Sequence, residues 1–320
     1  MRKSFLVLSS LLAMSGAALA QDWPTRAVTV VVPFSAGSTP DVAARIVSDR
    51  LQARLGQPFV VENKPGASGN LGTAAVAKAT PDGYTIGVSI IGPLAINTLL
   101  MPSMPYDPAK DLALISIITS QPSALVVSKE LAVTKVGDLI NLLKSNPGKY
   151  NYGSIGNGSL SHLAMEALAL QSGSKVVHIP FRGSPDAITA LLRNDVQMGM
   201  LPIGAVAPLA ENGQLRLLAV SAAQRMKQFP DLPTLEEVGL TEVVADAWVG
   251  LIAPKSISAD IASKLESEAK SILAEPAVRE KLQAQMTNAI GSSAAEFQAR
   301  VDADFARWNR VIKAGNVRIE

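Results

Sequence analysis

The chain has 320 residues, of which 48% are hydrophobic and 18% charged, and its formal net charge is only +2. This length allows two domains of ordinary size, and the small net charge argues against nucleic acid or an anionic membrane surface as a partner. The absence of cysteine and the presence of only two histidines exclude disulfides and thiolate chemistry and leave no histidine-based zinc motif. We therefore expect no metal site and no cofactor.

The N-terminus has the pattern of a secretory signal peptide. Arg2 and Lys3 precede an apolar run from Phe5 to Met14, and the small-residue triplet Ala18–Ala20 follows. This pattern predicts a cleaved signal peptide over residues 1–20 and export to a bacterial periplasm. The alternative, a retained membrane anchor, is disfavoured because the run is too short to span a bilayer and no cysteine is available for lipidation.

The first element of the exported chain is a strand that leads through a short loop into a helix. An apolar β-branched run, Val28–Val32, precedes Pro33, and the helix start is marked by Thr39 as N-cap, Pro40 as first helical residue and Asp41 in the first turn. The unpaired N–H groups of such a helix start favour an anion. The stretch therefore predicts either an ordinary βα turn or a loop that grips a carboxylate, formed by Phe34, Ser35, Ala36, Gly37 and Ser38.

Asp41 has two interpretations in this loop. It favours its own helix electrostatically, and it would repel an anion placed close to it. We therefore expect Asp41 to support the geometry of the loop more than to touch a carboxylate. Arg45, one turn further along, is expected to pair with Asp41 or with Glu62.

Strands and helices continue to alternate after this helix. Strands are predicted over Phe59–Glu62, Tyr84–Ile91 and Leu112–Thr119, and Ser89, near the end of the second of these, is included among the candidate ligand contacts. A second alternating block begins with a strand at Leu125–Ser128. Such alternation predicts parallel sheets covered by helices on both faces, so we expect two doubly wound α/β lobes.

A second loop of small residues, Gly153–His162, precedes another helix. It departs from a dinucleotide-binding loop because Ser161 stands where the third glycine belongs, and no G-x-S-x-G pentad marks a hydrolase nucleophile. His162 is expected to make structural or hydrogen-bonding contacts, and His178 to be a half-buried strand residue. Arg182 is either a bidentate carboxylate ligand or a surface charge.

Taken together, the motifs resemble the extracytoplasmic solute receptors of tripartite tricarboxylate transporters, the Bug family. The resemblance covers nearly all of the chain after residue 20 and is carried, in family order, by VPFSAGSTPDVAAR (32–45), LGQPFVVENKPGASGNLG (55–72), ATPDGYT (79–85), PYDPAKD (105–111), NPGKYNYGSIGNGSLSHLAME (146–166), HIPFRGS (178–184), FPDLPTLEEVG (229–239) and WVGLIAP (248–254).

The resemblance implies a periplasmic binding protein of the Venus-flytrap, type II-like architecture, with a cleft between two α/β lobes. It implies a first lobe over residues 21–123, a second over 124–245 and a return of residues 246–320 to the first. The ligand carboxylate is expected at both small-residue loops, with contacts from Ser35, Ala36, Gly37, Ser38, Asp41, Ser154, Gly156, Asn157, Ser159 and His162. Ser38 and the Phe181-Arg182 pair depart from the usual family pattern, which leaves the identity of the carboxylate open.

Three functions remain at this point. We expect a monomeric periplasmic binding protein that passes a small carboxylate to a membrane transporter and has no catalytic residues. A ligand-sensing receptor for a membrane sensor kinase needs the same flytrap. A secreted α/β hydrolase is disfavoured by the missing nucleophile motif and the scarcity of histidine.

Overall fold

The computed structural model describes residues 23–222 and 224–318, so the predicted signal peptide lies outside the described residues. The strands are β1 (Val28–Val32), β2 (Phe59–Asn63), β3 (Thr85–Ile90), β4 (Leu112–Ser128), β5 (Asn151–Ser154), β6 (Val177–Pro180), β7 (Met198–Pro202), β8 (Leu215–Val220), β9 (Asp246–Pro254) and β10 (Asn288–Ala289). The helices are α1 (Thr39–Leu55), α2 (Asn70–Ala77), α3 (Asn97–Leu100), α4 (Pro108–Asp111), α5 (Val136–Ser145), α6 (Leu160–Ser172), α7 (Ser184–Leu192), α8 (Ile203–Glu211), α9 (Ala259–Ala274), α10 (Pro276–Gln283) and α11 (Ala294–Ala314). None of these described helices has the length and apolar character that a membrane crossing requires.

The strands form two parallel groups joined through antiparallel partners. The strand order is β2-β1-β3-β9-β4-β7-β5-β6, with β8 and β10 also paired to β4. Strands β1, β2 and β3 are mutually parallel, as are β5, β6 and β7, whereas β9 and β4 run antiparallel to their neighbours. The sheets are therefore mixed instead of wholly parallel, and the predicted fold class of two α/β lobes is confirmed.

Strand β4 corrects the prediction of two separate strands at Leu112–Thr119 and Leu125–Ser128. It is one strand of 17 residues. Its first part, Leu112–Pro122, pairs with β9, and its last part, Ser123–Ser128, pairs with β7 and β8. The break in the apolar pattern at Gln121-Pro122 is where the strand exchanges partners, and a proline that lacks an N–H donor is tolerated at such a point.

The C-terminal helices do not form a third lobe. Leu265 and Ala269 of α9 share a buried core with Val30 of β1 and Val47 of α1. Helix α11 belongs to a different core cluster, in which its Trp308 and Val311 are grouped with Leu163 of α6 and with Leu94 of the π-helical turn Gly92–Ile96. Helix α11 thus shares a core with elements of both strand groups.

The packing of α11 on β9 yields a test with two matched glycines. A Cβ on Gly250 of β9 would overlap the ring of Phe297, whereas a Cβ on Gly137 of α5 would have no neighbour within 4 Å. We expect Gly250→Ala to lower the free energy of unfolding by about 3 kcal/mol through overpacking. Gly137→Ala should raise it by roughly 0.5 kcal/mol, because the unfolded helix residue loses freedom. Urea unfolding measures both, and equal effects would contradict the packing described.

Candidate functional site

The pairing register places the two small-residue loops opposite each other. In the first group, Ile90 of β3 pairs with Val249, which pairs with Thr119 of β4. In the second, Pro202 of β7 pairs with Ser123 of β4. The carboxyl ends of both groups of parallel strands therefore point toward the segment of β4 between residues 119 and 123. This segment is roughly 13 Å long.

This arrangement defines the candidate site, because the loops that follow β1 and β5 lie at those carboxyl ends. The carboxyl ends of strands are where open α/β sheets bind ligands. We call residues 33–38 the first loop and residues 155–159 the second loop. Each leads directly into a helix, α1 or α6.

A buried carboxylate holds the first loop. One oxygen of Asp41 accepts the N–H of Gly37 at 2.8 Å, and the other accepts the side-chain amide of Asn63 at 2.8 Å. The same Asn63 amide donates to the carbonyl of Phe34 at 2.9 Å. Arg45 pairs with Asp41 at 3.0 Å, which is one of its two predicted partners. Asp41 thus supports the loop as expected, while a direct contact with a ligand stays a prediction.

The environment of Asp41 sets its charge. Burial of the carboxyl raises its pKa, but the hydrogen bonds from Arg45, Gly37 and Asn63 outweigh burial, and the net pKa lies below the ordinary value of 3.8. The group is therefore ionised at neutral pH. Gly37, whose N–H donates to this carboxylate, has a left-handed conformation at φ 80°, which glycine adopts without strain.

The hydrogen bonds of the first loop leave donors for a ligand. Helix α1 begins at Thr39, so Ser38 and not Thr39 occupies the N-cap. The Ser38 hydroxyl is buried and makes no hydrogen bond within the described residues. Among residues 23–222 and 224–318, the backbone N–H groups of exposed Ser35 and Ala36 also make no hydrogen bond. Buried polar groups without a protein partner commonly mark a place for water or a ligand.

The second loop is held in a corresponding way. The Ser154 hydroxyl is fully buried and accepts the N–H of Gly156 at 3.2 Å, and the Ser159 hydroxyl caps α6 by accepting the N–H of His162 at 3.2 Å. Nδ1 of His162 accepts the N–H of Gly158 at 3.1 Å. The backbone N–H of Asn157 makes no hydrogen bond in the part of the chain that the structure describes.

The two histidines lie face to face beneath this loop. The ring centroids of His162 and His178 are 3.7 Å apart with an interplanar angle of 13°, and Nε2 of His178 lies 2.6 Å from the Ser154 hydroxyl. The pKa of both rings lies at about 4, lowered by burial in each case and, for His162, also by the neighbouring His178. Both are therefore neutral at pH 7, and His162 is buried and hydrogen-bonded, as predicted.

Two predicted contacts have less direct support. The hydroxyl of Ser89 is fully buried and lies 2.9 Å from that of Thr73, so its role as a ligand contact stays a prediction. Arg182 follows β6, next to Phe181, whose N–H donates to the Ser154 carbonyl. Arg182 is exposed and makes no ion pair with any described residue.

Sequence reasoning missed two residues of this region. Asn63 ends β2, whose carboxyl end lies at the same edge as that of β1. The adjacency of these two strand ends is the signal that could have identified Asn63. Gln121 lies on β4 between the loops, 3.4 Å from the Thr39 hydroxyl, and donates to the Gln285 carbonyl at 3.1 Å. Its signal is that it has the only amide side chain in β4, whose other residues are apolar or carry small hydroxyl groups.

A concavity away from the two loops has the wrong chemistry for an anion. Its volume is about 530 Å³, and its wall includes Met101, Tyr106 and Phe305. The charged residues in its wall are Asp107 and Asp302, which would repel a carboxylate. Within residues 23–222 and 224–318, no group of three or more histidine, aspartate or glutamate side chains is arranged to hold a metal ion.

The Asp41 network predicts a specific loss of stability. Asp41→Ala leaves the Gly37 N–H and the Asn63 amide without their acceptor, and we expect the free energy of unfolding to fall by about 2 kcal/mol. Asp49 lies on the same helix but is exposed, so Asp49→Ala should change it by less than about 0.5 kcal/mol. Urea unfolding compares the two variants, and equal losses would show that the network does not support the loop.

The histidine pair predicts a pH dependence of stability. The unfolded histidines titrate near 6.5 and the folded ones at about 4. Between these values the unfolded chain binds more protons, so the free energy of unfolding should fall as pH drops from about 6.5 toward 4. Urea unfolding at pH 7.5, 6 and 5 tests this. A double variant, His162→Asn with His178→Gln, should have a flatter profile, and identical profiles would contradict the assignment.

Comparisons with known proteins agree with this architecture. Residues 43–317 match the model of the family described as tripartite tricarboxylate transporter family receptor. Protein BugT of Bordetella pertussis is 33% identical over 100% of this chain and 99% of its own length.

Solved structures of similar chains share the fold. Rpa4515 of R. palustris, solved with adipate, has a TM-score of 0.81 and 35% identity, covering 93% of this chain and 99% of its own. MatC of Rhodopseudomonas palustris, solved with bound malate, has a TM-score of 0.76 and 29% identity, covering 91% of this chain and 100% of its own. The chain therefore belongs to the tripartite tricarboxylate transporter receptors, the Bug family of solute-binding proteins.

Proposed function

We propose that this chain binds a small organic carboxylate between its two lobes and presents it to the membrane subunits of a tripartite transporter. The observation that carries the proposal is the pair of opposed loops, each held by buried side chains and each leading into a helix. The N–H groups of Ser35 and Ala36 on one side and of Asn157 on the other have no partner among residues 23–222 and 224–318, so they offer two sets of hydrogen-bond donors to one anion.

The donors of the site suit a carboxylate, and its carboxyl and imidazole side chains are engaged in holding the loops. Asp41 is occupied by its own hydrogen bonds, and both histidines are engaged with the second loop. Since a net charge of +2 steers ligands only weakly, oriented N–H groups dominate selection of the anion. Adipate and malate, found with Rpa4515 and MatC, are both dicarboxylates, and exposed Arg182 is our proposed contact for a second carboxylate.

Capture follows from a ligand that touches both loops at once. Such a ligand binds the closed arrangement more tightly than an open one and so shifts the population toward closure. The proposed lobes are residues 21–123 with 246–320, and residues 124–245, connected through β4 and β9. The proposed contacts come from the two loops and the elements next to them: Phe34, Ser35, Ala36, Gly37, Ser38, Asp41, Ser154, Gly156, Asn157, Ser159 and His162.

The proposed cellular location rests on the family and on the sequence pattern of the N-terminus. Family membership supports a periplasmic protein, and the sequence pattern of residues 1–20 supports export through a cleaved signal peptide. A monomer is sufficient, because the described site is formed by one chain. The runner-up is a receptor that signals through a sensor kinase. Deletion of the gene would abolish uptake of the ligand in the first case and ligand-dependent transcription in the second.

Calorimetry on the purified protein tests the proposal with adipate, malate and citrate as probes. We expect at least one of them to bind. Gly37→Val should abolish that binding, because valine is strained at φ 80° and the first loop would lose its shape.

The matched control is Gly213→Val, at φ 68° between α8 and β8 with no neighbour within 4 Å. It carries a similar backbone strain away from the loops and should retain wild-type affinity. Failure of all three probes, or equal affinity of the Gly37→Val variant and the wild type, would contradict the proposed site.

A further inference from the structure

We infer that the stacked pair His162 and His178 fixes the shape of the second loop, and that both histidines are positioning residues for the ligand. This inference rests on the proposed function, since it concerns how the carboxylate-binding loop is held. The two residues are sixteen positions apart in the sequence and are the only histidines of the chain, yet their rings lie in contact.

His178 acts on the first half of the loop through Ser154. Its Nε2 lies 2.6 Å from the Ser154 hydroxyl, and that hydroxyl contacts both the N–H of Gly156, at 3.2 Å, and the carbonyl of Gly156, at 3.1 Å. Because Ser154 is fully buried, its hydroxyl is oriented by these protein contacts, and the His178 imidazole is one of them.

His162 acts on the second half of the loop directly. Its Nδ1 accepts the N–H of Gly158 at 3.1 Å, which requires a neutral ring with its proton on Nε2. Gly156 and Gly158 have φ values of 132° and 69°. Glycine reaches these conformations freely but does not hold them, so the loop needs an external support. Each histidine provides one supporting hydrogen bond, His178 to the Ser154 hydroxyl and His162 to the N–H of Gly158.

The rings themselves are held by stacking. Tyr152 stacks on His178 with ring centroids 4.9 Å apart, and the Tyr152 hydroxyl donates to Glu166 of α6 at 2.5 Å. Three stacked rings therefore join β5, β6 and α6 beneath the loop. Both loops are supported by side chains outside them: Asp41 and Asn63 support the first loop, and the histidine pair supports the second.

The test variants are chosen by the ring nitrogen that makes each hydrogen bond, Nε2 in His178 and Nδ1 in His162. The amide of glutamine can replace Nε2 of His178, and the amide oxygen of asparagine can replace Nδ1 of His162, whereas leucine replaces neither. We expect His178→Leu and His162→Leu each to weaken binding of the tightest probe among adipate, malate and citrate by roughly tenfold, the loss of one hydrogen bond. His178→Gln and His162→Asn should restore most of the affinity.

The two leucine substitutions together should be less than additive, because both residues hold one loop. A purely structural role would instead lower stability equally in all four single variants and leave calorimetric affinity unchanged. Equal affinity of the leucine variants and the wild type would overturn the inference.

Nuclear magnetic resonance of the wild-type protein without ligand gives a readout independent of binding. We expect the ¹⁵N shift of His162 Nδ1 to show an unprotonated acceptor, and the Gly158 amide to be protected from exchange. A proton on Nδ1 would overturn the inference, even if a leucine variant fails to fold. If the wild type binds none of the probes while these signals are present, the proposed function fails and the loop assignment stands.

Discussion

The proposed site depends on one constraint, the register of strand β4. Its first part pairs with β9 and its last part with β7 and β8, so a single continuous strand fixes the distance between two groups of parallel strands. Because both groups end at the short segment near Gln121, their following loops are brought face to face without any direct bond between them. The relative placement of the two loops is therefore a property of the strand pairing, and the loops contribute the polar groups of the proposed site.

Buried side chains hold both loops of the proposed ligand site in shape without a ligand. Backbone N–H groups are effective anion ligands only when their directions are fixed, and loops of glycine and serine have little stiffness of their own. Buried acceptors supply that stiffness here: Asp41 on one side, Ser154 and His162 on the other. The neighbouring N–H groups of Ala36 and Asn157 remain unbonded within the described residues, so they are available as donors to the carboxylate proposed for this site.

Much of this architecture could be predicted from the sequence, and the failures have physical causes. The apolar runs and helix starts located both loops, and the position of Asp41 one turn into α1 indicated its supporting role. Strand β4 was divided in two because Pro122 interrupts its pattern, and only pairing shows that the strand changes partners there. Asn63 and His178 were missed as supports because their contacts cross between strands and depend on register. The predicted N-cap, Thr39, lies one residue after the actual N-cap, Ser38, a difference within the usual uncertainty of helix ends.

A crystal structure of the purified protein with the tightest-binding dicarboxylate tests the central claim most directly. The account predicts one carboxylate bound between the lobes, within hydrogen-bonding distance of the N–H of Ser35 or Ala36 in the first loop and of Asn157 in the second. A ligand that contacts one loop alone, or that lies in the apolar concavity beside Phe305, would contradict it.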